Sequence, residues 1–107
     1  MGLFTRIPKT DAASVAERIA RRDVVVIDVR QAGEWRHGHI RGSHHVPLHQ
    51  LAARIERIPR DRSVVTVCAS GHRSAAAARM LVRAGYDVEN LAGGIRAWAR
   101  AGLPLAR

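Results

Sequence analysis

Two short runs of β-branched residues constrain the fold of this chain more than any other feature of its sequence. Residues 24–27 read VVVI and residues 63–67 read SVVTV, so the apolar residues are nearly continuous and do not alternate with polar ones. Such a run is typical of a strand that is buried on both faces of a parallel sheet. The two runs therefore predict a sheet that is covered by helices on both sides.

Helical patterns accompany these strands along the whole chain. Apolar residues recur at helical spacing, or alanine is abundant, in four segments: 11–21, 48–58, 74–84 and 95–101. A short helix is expected near Glu34 and Trp35, and two further strands at 44–46 and 88–91. Strands that alternate with helices predict an α/β domain with a mainly parallel sheet. At 107 residues the chain has the size of a single domain.

The composition narrows the class of protein. No apolar run reaches the roughly 18 residues that a membrane helix needs, and the first residues lack the apolar centre of a secretory signal. We therefore expect a cytoplasmic protein that does not associate with a membrane. The formal net charge of +9 comes almost wholly from arginine, which suits nucleic acid, an acidic partner or a small anion. The arginines are scattered and aromatic residues are few, so we do not expect nucleic-acid binding.

Cys68 is the only cysteine, and it is therefore either an inert buried side chain or a reactive thiol. It ends the predicted strand 63–67 and precedes a predicted helix. In α/β folds ligands bind beyond the carboxyl ends of the strands, and a helix N-terminus lowers the pKa of a thiol. Gly71 permits a positive φ, so that the amides of 69–73 can turn inward and bind an anion. This setting predicts that Cys68 is a nucleophile.

Three blocks of the sequence resemble the rhodanese-like family. They comprise residues 26–48 (with the runs VIDVR, EW, GHIRGS and VPL), residues 64–74 around the cysteine, and residues 91–104 (with LAGGIRAW and GLP). The recognisable signatures cover about 24–104 of a domain that we assign to 1–107. The resemblance implies a five-stranded, mainly parallel sheet with helices on both faces.

The resemblance also implies an activity. Cys68 would take a sulfane sulfur from thiosulfate or a related small anionic donor, hold it as a persulfide, and pass it to cyanide or a thiol. Because no second cysteine could resolve the persulfide, an external thiol or a sulfur-carrier protein is expected as acceptor. Neither a cofactor nor a metal ion is expected, because the six histidines form no ligand pattern.

The residues that follow Cys68 are expected to form its binding site. The substrate-binding loop is expected to comprise Ala69, Ser70, Gly71, His72 and Arg73. Arg73 would orient the anionic donor or the leaving sulfite, whereas His72 is better interpreted as a solvated loop residue than as a chemical group.

Three residues are expected to support this loop. Asp28 and Arg30 would brace it through hydrogen bonds or an ion pair with Arg73 or Glu34, and Ser74 would cap or open the following helix. Two tryptophans and one histidine are expected to serve structure alone, Trp35 and Trp98 as core anchors and His39 in a structural contact.

Two alternatives stay open. The same fold supports phosphatase or arsenate reductase chemistry with a longer loop, whereas here Arg73 lies five positions after Cys68, which favours a cradle for a single sulfur atom. The chain could also be a catalytically silent module that binds or regulates a partner, although the presence of Cys68, Gly71 and Arg73 together favours an enzyme.

Overall fold

The computed structural model describes residues 6–107, so the first five residues of the expected domain lie outside it. The strands and helices, in chain order, are β1 (Lys9–Thr10), α1 (Ala12–Ala20), β2 (Val24–Asp28), α2 (Ala32–His37), β3 (His44–His45), α3 (Leu51–Arg54), β4 (Ser63–Val67), α4 (His72–Arg83), β5 (Val88–Leu91) and α5 (Gly94–Arg100). Single 3₁₀ turns, Leu48–Gln50 and Ile55–Arg57, flank α3.

The five strands form one parallel sheet in the order β1-β5-β4-β2-β3. β4 is central and pairs with β2 over its whole length, from Val24 opposite Ser63 to Asp28 opposite Val67. α1 and α5 pack against one face, and α3 and α4 against the other. The expected α/β fold with helices on both faces is confirmed.

Side chains of β2 point alternately into two cores. Val25 and Ile27 join the core under α3 and α4, whereas Val24 and Val26 join the core under α1 and α5. All four are nearly inaccessible to solvent. The continuous apolar run is therefore explained by burial on both faces.

Two elements differ from expectation. The edge strand β1 was not expected from a local pattern, because its two residues are too few and too polar to show a period. The single helix expected over 48–58 is divided into one short α-helix between two 3₁₀ turns. The Tyr86 hydroxyl donates to the carbonyl oxygens of Ile55 and Ile58 at 2.7 and 2.8 Å, and the Ile55 carbonyl also accepts the 3₁₀ hydrogen bond from the Ile58 N–H at 3.3 Å. A tertiary contact thus satisfies carbonyls at the end of this segment.

The two tryptophans also differ from one another. Trp98 is buried in the core under α1 and α5, as expected, and its Nε1–H donates to the Pro104 carbonyl at 2.9 Å. The expectation that Trp35 anchors a core is wrong, because α2 buries none of its residues. Trp35 instead stacks against the rings of His39 and His45, with centroids 3.6 and 4.8 Å away.

Candidate active site

Cys68 is the residue that follows the last position of the central strand β4. Only 1% of its surface is exposed, and it packs with residues of the core under α3 and α4. The strand thus carries the thiol to the carboxyl edge of the parallel sheet, where α/β folds form their sites.

The loop after Cys68 turns back over its sulfur atom. Gly71 adopts a φ of +113° and is the N-cap of α4, and its N–H donates to the Cys68 Sγ at 3.1 Å. The Ser74 hydroxyl, which is fully buried, donates to the same Sγ at 3.3 Å. The expectation that Ser74 caps or opens the helix is wrong, because α4 begins at His72 and Ser74 lies within its first turn.

These donors decide the ionisation of the thiol. Burial raises the pKa of Cys68, but the hydroxyl of Ser74 and the backbone N–H groups of Ser74, Gly71 and Ser70 stabilise the thiolate. The net result is a pKa below the ordinary value of 9.0. A lowered pKa makes the nucleophilic form of cysteine available nearer to neutral pH.

The start of α5 holds the first residues of the loop from the other side. The N–H of Ile95 donates to the Cys68 carbonyl at 2.8 Å, and that of Arg96 donates to the Ala69 carbonyl at 3.2 Å. Gly94 lies so close that a Cβ there would be 2.2 Å from the Cys68 carbonyl oxygen, and its φ is +57°. Sequence reasoning included Gly93-Gly94 in a signature but did not find this contact with the loop.

A buried polar chain joins the loop to the sheet. The Asn90 amide Nδ2 donates to the Gly71 carbonyl at 3.1 Å, and the Thr66 hydroxyl donates to the Asn90 Oδ1 at 3.2 Å. Sequence reasoning missed both residues. Their signal in the sequence is weak, because each strand has a second polar residue, Ser63 in β4 and Glu89 in β5.

Arg73 does not stand alone at the rim of the site. Its two terminal nitrogens bind both carboxylate oxygens of Glu34 in α2, at 2.6 and 2.9 Å. The hydrogen bonds with Arg73 hold the pKa of Glu34 at about 2, well below its usual 4.5, despite partial burial. The carboxylate raises the pKa of Arg73 in turn, and the proximity of Cys68 acts in the same direction. The arginine is thus positioned near the sulfur by a partner that neutralises its charge.

Asp28 and Arg30 form a buried ion pair beside this arrangement. The Arg30 side chain donates to both carboxylate oxygens of Asp28 at 2.8 to 3.1 Å, and also to the carbonyls of Gly38 and Glu34. In residues 6–107 no hydrogen bond or ion pair joins these two side chains to Arg73 or to the loop. Of the expected bracing contacts, a hydrogen bond from Arg30 to the backbone of Glu34 is present, and Arg30 also binds the C-cap residue of α2, Gly38.

The remaining loop side chains face outward. Ser70 and His72 are exposed, with the Ser70 hydroxyl 3.4 Å from the Nδ1 of His72, and Ala69 is half-buried. His39 makes the kind of contact expected of it, since its Nδ1 lies 2.9 Å from the Trp35 carbonyl oxygen. Within the described part of the chain, no three metal-ligating side chains cluster, and no helix is long and apolar enough to cross a membrane.

The comparison with protein families agrees with this geometry. A family model described as a rhodanese-like domain matches residues 11–101. The chain belongs to the rhodanese-like domain family. Its five-stranded parallel sheet with helices on both faces is thus the fold of a rhodanese-like domain.

The names of similar proteins differ. A protein of Allochromatium vinosum named sulfurtransferase is 42% identical, with 92% of this chain and 94% of the relative covered. A thiosulfate sulfurtransferase GlpE of Pseudomonas fluorescens is 38% identical, with 92% and 87% covered. An HTH-type transcriptional regulator of Mycobacterium tuberculosis is 36% identical over 89% of this chain, but this region spans only 44% of the regulator.

Solved structures resemble the domain as a whole. The crystal structure of a rhodanese-related protein from Thermoplasma volcanium superposes with a TM-score of 0.87 at 32% identity. The similarity covers 92% of this chain and 97% of that one. The rhodanese-like fold therefore accounts for nearly all of residues 6–107.

Proposed function

We propose that this rhodanese-like domain is a sulfurtransferase in which Cys68 carries a sulfane sulfur as a persulfide. The observation that carries the proposal is the arrangement around the Cys68 Sγ, which accepts hydrogen bonds from the Gly71 amide and the Ser74 hydroxyl at the carboxyl edge of the sheet. Names of relatives support the same class of reaction. We further propose a thiosulfate-type donor and an external acceptor.

The first step forms the persulfide. The Cys68 thiolate attacks the outer sulfur of thiosulfate, a new S–S bond forms, the S–S bond within the donor breaks, and sulfite leaves with the bonding electron pair. A lowered pKa supplies the thiolate for this attack. The loop 69–73 is proposed as the binding site for donor and product.

The loop would then stabilise the charge on the terminal sulfur of the persulfide. The first turn of a helix leaves backbone N–H groups without helical partners, and these suit an anion that lies at the helix end. α4 begins at His72, immediately after the N-cap Gly71. The helix therefore starts where the extra sulfur would be held.

The second step returns the enzyme to its starting state. Cyanide or a thiolate attacks the terminal sulfur, the persulfide bond breaks, and the electron pair returns to Cys68 as thiolate. The products are thiocyanate or a new persulfide on the acceptor. Because Cys68 is the only cysteine, the acceptor has to be a separate molecule, a low-molecular-weight thiol or a sulfur-carrier protein. A reduced thiol pool of this kind accords with a cytoplasmic location.

Arg73 is proposed to orient the donor while paired with Glu34. A guanidinium that binds a carboxylate through two nitrogens keeps a fixed direction. Since Glu34 neutralises much of its charge, Arg73 would guide a small anion rather than bind it strongly. This balance favours release of sulfite after the first step.

Intact mass spectrometry tests the persulfide directly. Protein incubated with thiosulfate should gain the mass of one sulfur atom, and a later addition of a small thiol or cyanide should restore the starting mass. Cys68→Ser is the matched control and should gain nothing. If the wild-type protein gains no sulfur from thiosulfate or from another sulfane donor, the enzyme proposal is wrong.

Each of the two alternative functions predicts a different experimental result. A module that regulates without catalysis is favoured by the regulator that contains a similar domain, and it would leave the Cys68 mass unchanged while the fold stays intact. Phosphatase chemistry on the same fold would appear as hydrolysis of an aryl phosphate that Cys68→Ser abolishes. The short step from Cys68 to Arg73 disfavours it, because a smaller loop suits one sulfur atom better than a tetrahedral oxyanion.

A further inference from the structure

A second cleft lies on the opposite face of the sheet from Cys68. It has a volume of about 510 Å³ and opens beside α1, α5 and the amino end of β2. Val24 and Val26 of β2 both line it, and Val26 lies opposite Val65 of β4, three residues before Cys68. At about 3.3 Å per residue of strand, the two sites are roughly 10 Å apart along the sheet. The cleft also lies on the face under α1 and α5, whereas Cys68 packs in the core under α3 and α4. The cleft is thus separate from the candidate active site.

The walls of this cleft are apolar. The residues that form them come from both helices, the sheet and two connecting segments: Ala16, Ile19, Val24, Ile40, Trp98 and Leu103. A cleft of a few hundred cubic ångströms with apolar walls is typical of a site for a small molecule.

Three arginines stand around the apolar walls. Arg22, Arg41 and Arg62 all line the cleft, and all are exposed at its rim. Among residues 6–107, neither Arg22 nor Arg41 forms an ion pair. Arg62 forms a 3.4 Å ion pair with the exposed Asp61, and its Nη1 donates to the Arg22 carbonyl at 3.5 Å. An apolar cleft with a cationic rim is complementary to a molecule that has an apolar body and an anionic head.

The backbone of Arg22 belongs to the end of α1. Its φ is +60°, the only positive φ of a non-glycine residue in the part of the chain that the structure describes. Its N–H donates to the Ile19 carbonyl at 3.0 Å and that of Asp23 donates to the Arg18 carbonyl at 3.1 Å, so Arg22 is the left-handed residue of a Schellman cap. This cap places Arg22 where it lines the cleft.

We propose that this cleft binds an amphipathic carboxylate, with its chain against the apolar walls and its carboxylate among Arg22, Arg41 and Arg62. Such binding does not depend on sulfur transfer, because it uses none of the residues around Cys68. The protein would therefore have a second small-molecule site, on the opposite face of the sheet from its thiol.

Decanoate is a suitable probe, used below the concentration at which it forms micelles. Trp98 lines the cleft, and Trp35 is the only other tryptophan, so in Trp35→Phe the fluorescence of Trp98 alone reports binding. We expect saturable binding of one decanoate per chain, confirmed by calorimetry on the wild-type protein. Decan-1-ol, which has the same chain without the charge, should bind at least about 10-fold more weakly.

Variants of the rim separate a site from general attraction to a basic protein. Arg41→Ala and Arg22→Gly should each weaken decanoate binding about 3- to 5-fold, and the double variant about 10-fold or more. Arg79→Ala, an exposed position on α4 on the other face of the sheet, removes the same charge and should leave binding unchanged. Arg22→Gly should also fold well, since glycine relieves the positive φ.

The outcomes are distinct from those that test Cys68. Cys68→Ser should bind decanoate as the wild-type protein does, whatever the result of the sulfur-transfer test. Absence of saturable binding, equal binding of decan-1-ol, or equal loss in the Arg79→Ala variant would each refute the proposal.

Discussion

The Ser74 hydroxyl offers the sharpest test of how this fold prepares its thiol. Ser74→Ala removes a fully buried donor that lies 3.3 Å from the Cys68 Sγ, and it leaves the backbone amides of the loop in place. The hydroxyl is the largest of the influences that lower the pKa of Cys68. The substitution should therefore raise that pKa toward its ordinary value.

The size of the effect follows from the type of hydrogen bond. A hydrogen bond to a charged group contributes about 1.5–3 kcal/mol, and one pKa unit corresponds to about 1.4 kcal/mol. Loss of the Ser74 hydroxyl should thus raise the pKa of Cys68 by about 1 to 2 units. At a pH below both pKa values the thiolate fraction should fall about 10- to 100-fold. The rate of the first step should fall less, about 3- to 10-fold, because a more basic thiolate is a better nucleophile.

Alkylation of the thiol as a function of pH measures this pKa directly. Cys68 is the only cysteine, so the rate of reaction with iodoacetamide reports on one group. Ser70→Ala is the matched control, because the exposed Ser70 hydroxyl contacts His72 rather than the sulfur. An unchanged pKa in Ser74→Ala, or an equal rise in both variants, would refute the reasoning.

The lowered pKa of Cys68 should also make the free energy of unfolding depend on pH. Because the pKa of Cys68 is lowered in the folded state, thiolate formation stabilises the fold, fully above the ordinary value of 9.0 and progressively less as pH falls through the lowered value. The free energy of unfolding of the wild-type protein should therefore rise, relative to that of Ser74→Ala, as pH increases toward 9. Urea unfolding at several pH values measures it, and parallel curves would contradict the expectation.

Three further substitutions test the surrounding structure. Gly94→Ala should lower the free energy of unfolding, measured in urea, by about 3 kcal/mol, because its Cβ would overlap the carbonyl oxygen of Cys68. Gly102→Ala, with a positive φ but open space, should cost only about 1 kcal/mol. In the wild-type protein the Glu34 carboxylate stabilises the fold, and this stability is lost as pH falls from 4.5 toward about 2. It amounts to roughly 1 kcal/mol, because the ion pair is more than one-third exposed, and Glu34→Gln should remove it. Overlapping acid-unfolding curves of the two proteins would contradict this expectation. Asp28→Asn leaves the buried Arg30 charge without its partner and should lower the free energy of unfolding by about 3 kcal/mol. The shift in the thermal or urea midpoint measures this loss, and an unshifted midpoint would show that the pair is dispensable.

Long, regular patterns allowed most of the fold to be predicted. The strand expected at 63–67 coincides with β4, the one expected at 88–91 coincides with β5, and the helix expected at 11–21 contains α1. In each, burial imposes a period or a continuous apolar run, which can be observed without the structure. β1 could not be predicted in this way, since only its pairing with β5 makes it a strand.

In the candidate site, too, residues with a local sequence signal were predicted and residues that act through distant contacts were not. Cys68, Gly71 and Arg73 were identified because a thiol, a flexible turn and a charge occur close together in the chain. Asn90 and Gly94 were not, because their effect on the loop depends on contacts across the sheet and from another helix. Polar contacts between distant segments have no periodic signature in the sequence.

The sequence by itself determined that this chain forms an α/β domain and that one cysteine stands between a buried strand and a helix. Tertiary structure decided what surrounds the sulfur: a serine hydroxyl inside the first turn of α4, a second helix over the loop, and a glutamate that pairs with the arginine at the rim. The physical reason is that burial is recorded locally, residue by residue, whereas the pKa of a thiol depends on donors brought to it by the whole fold.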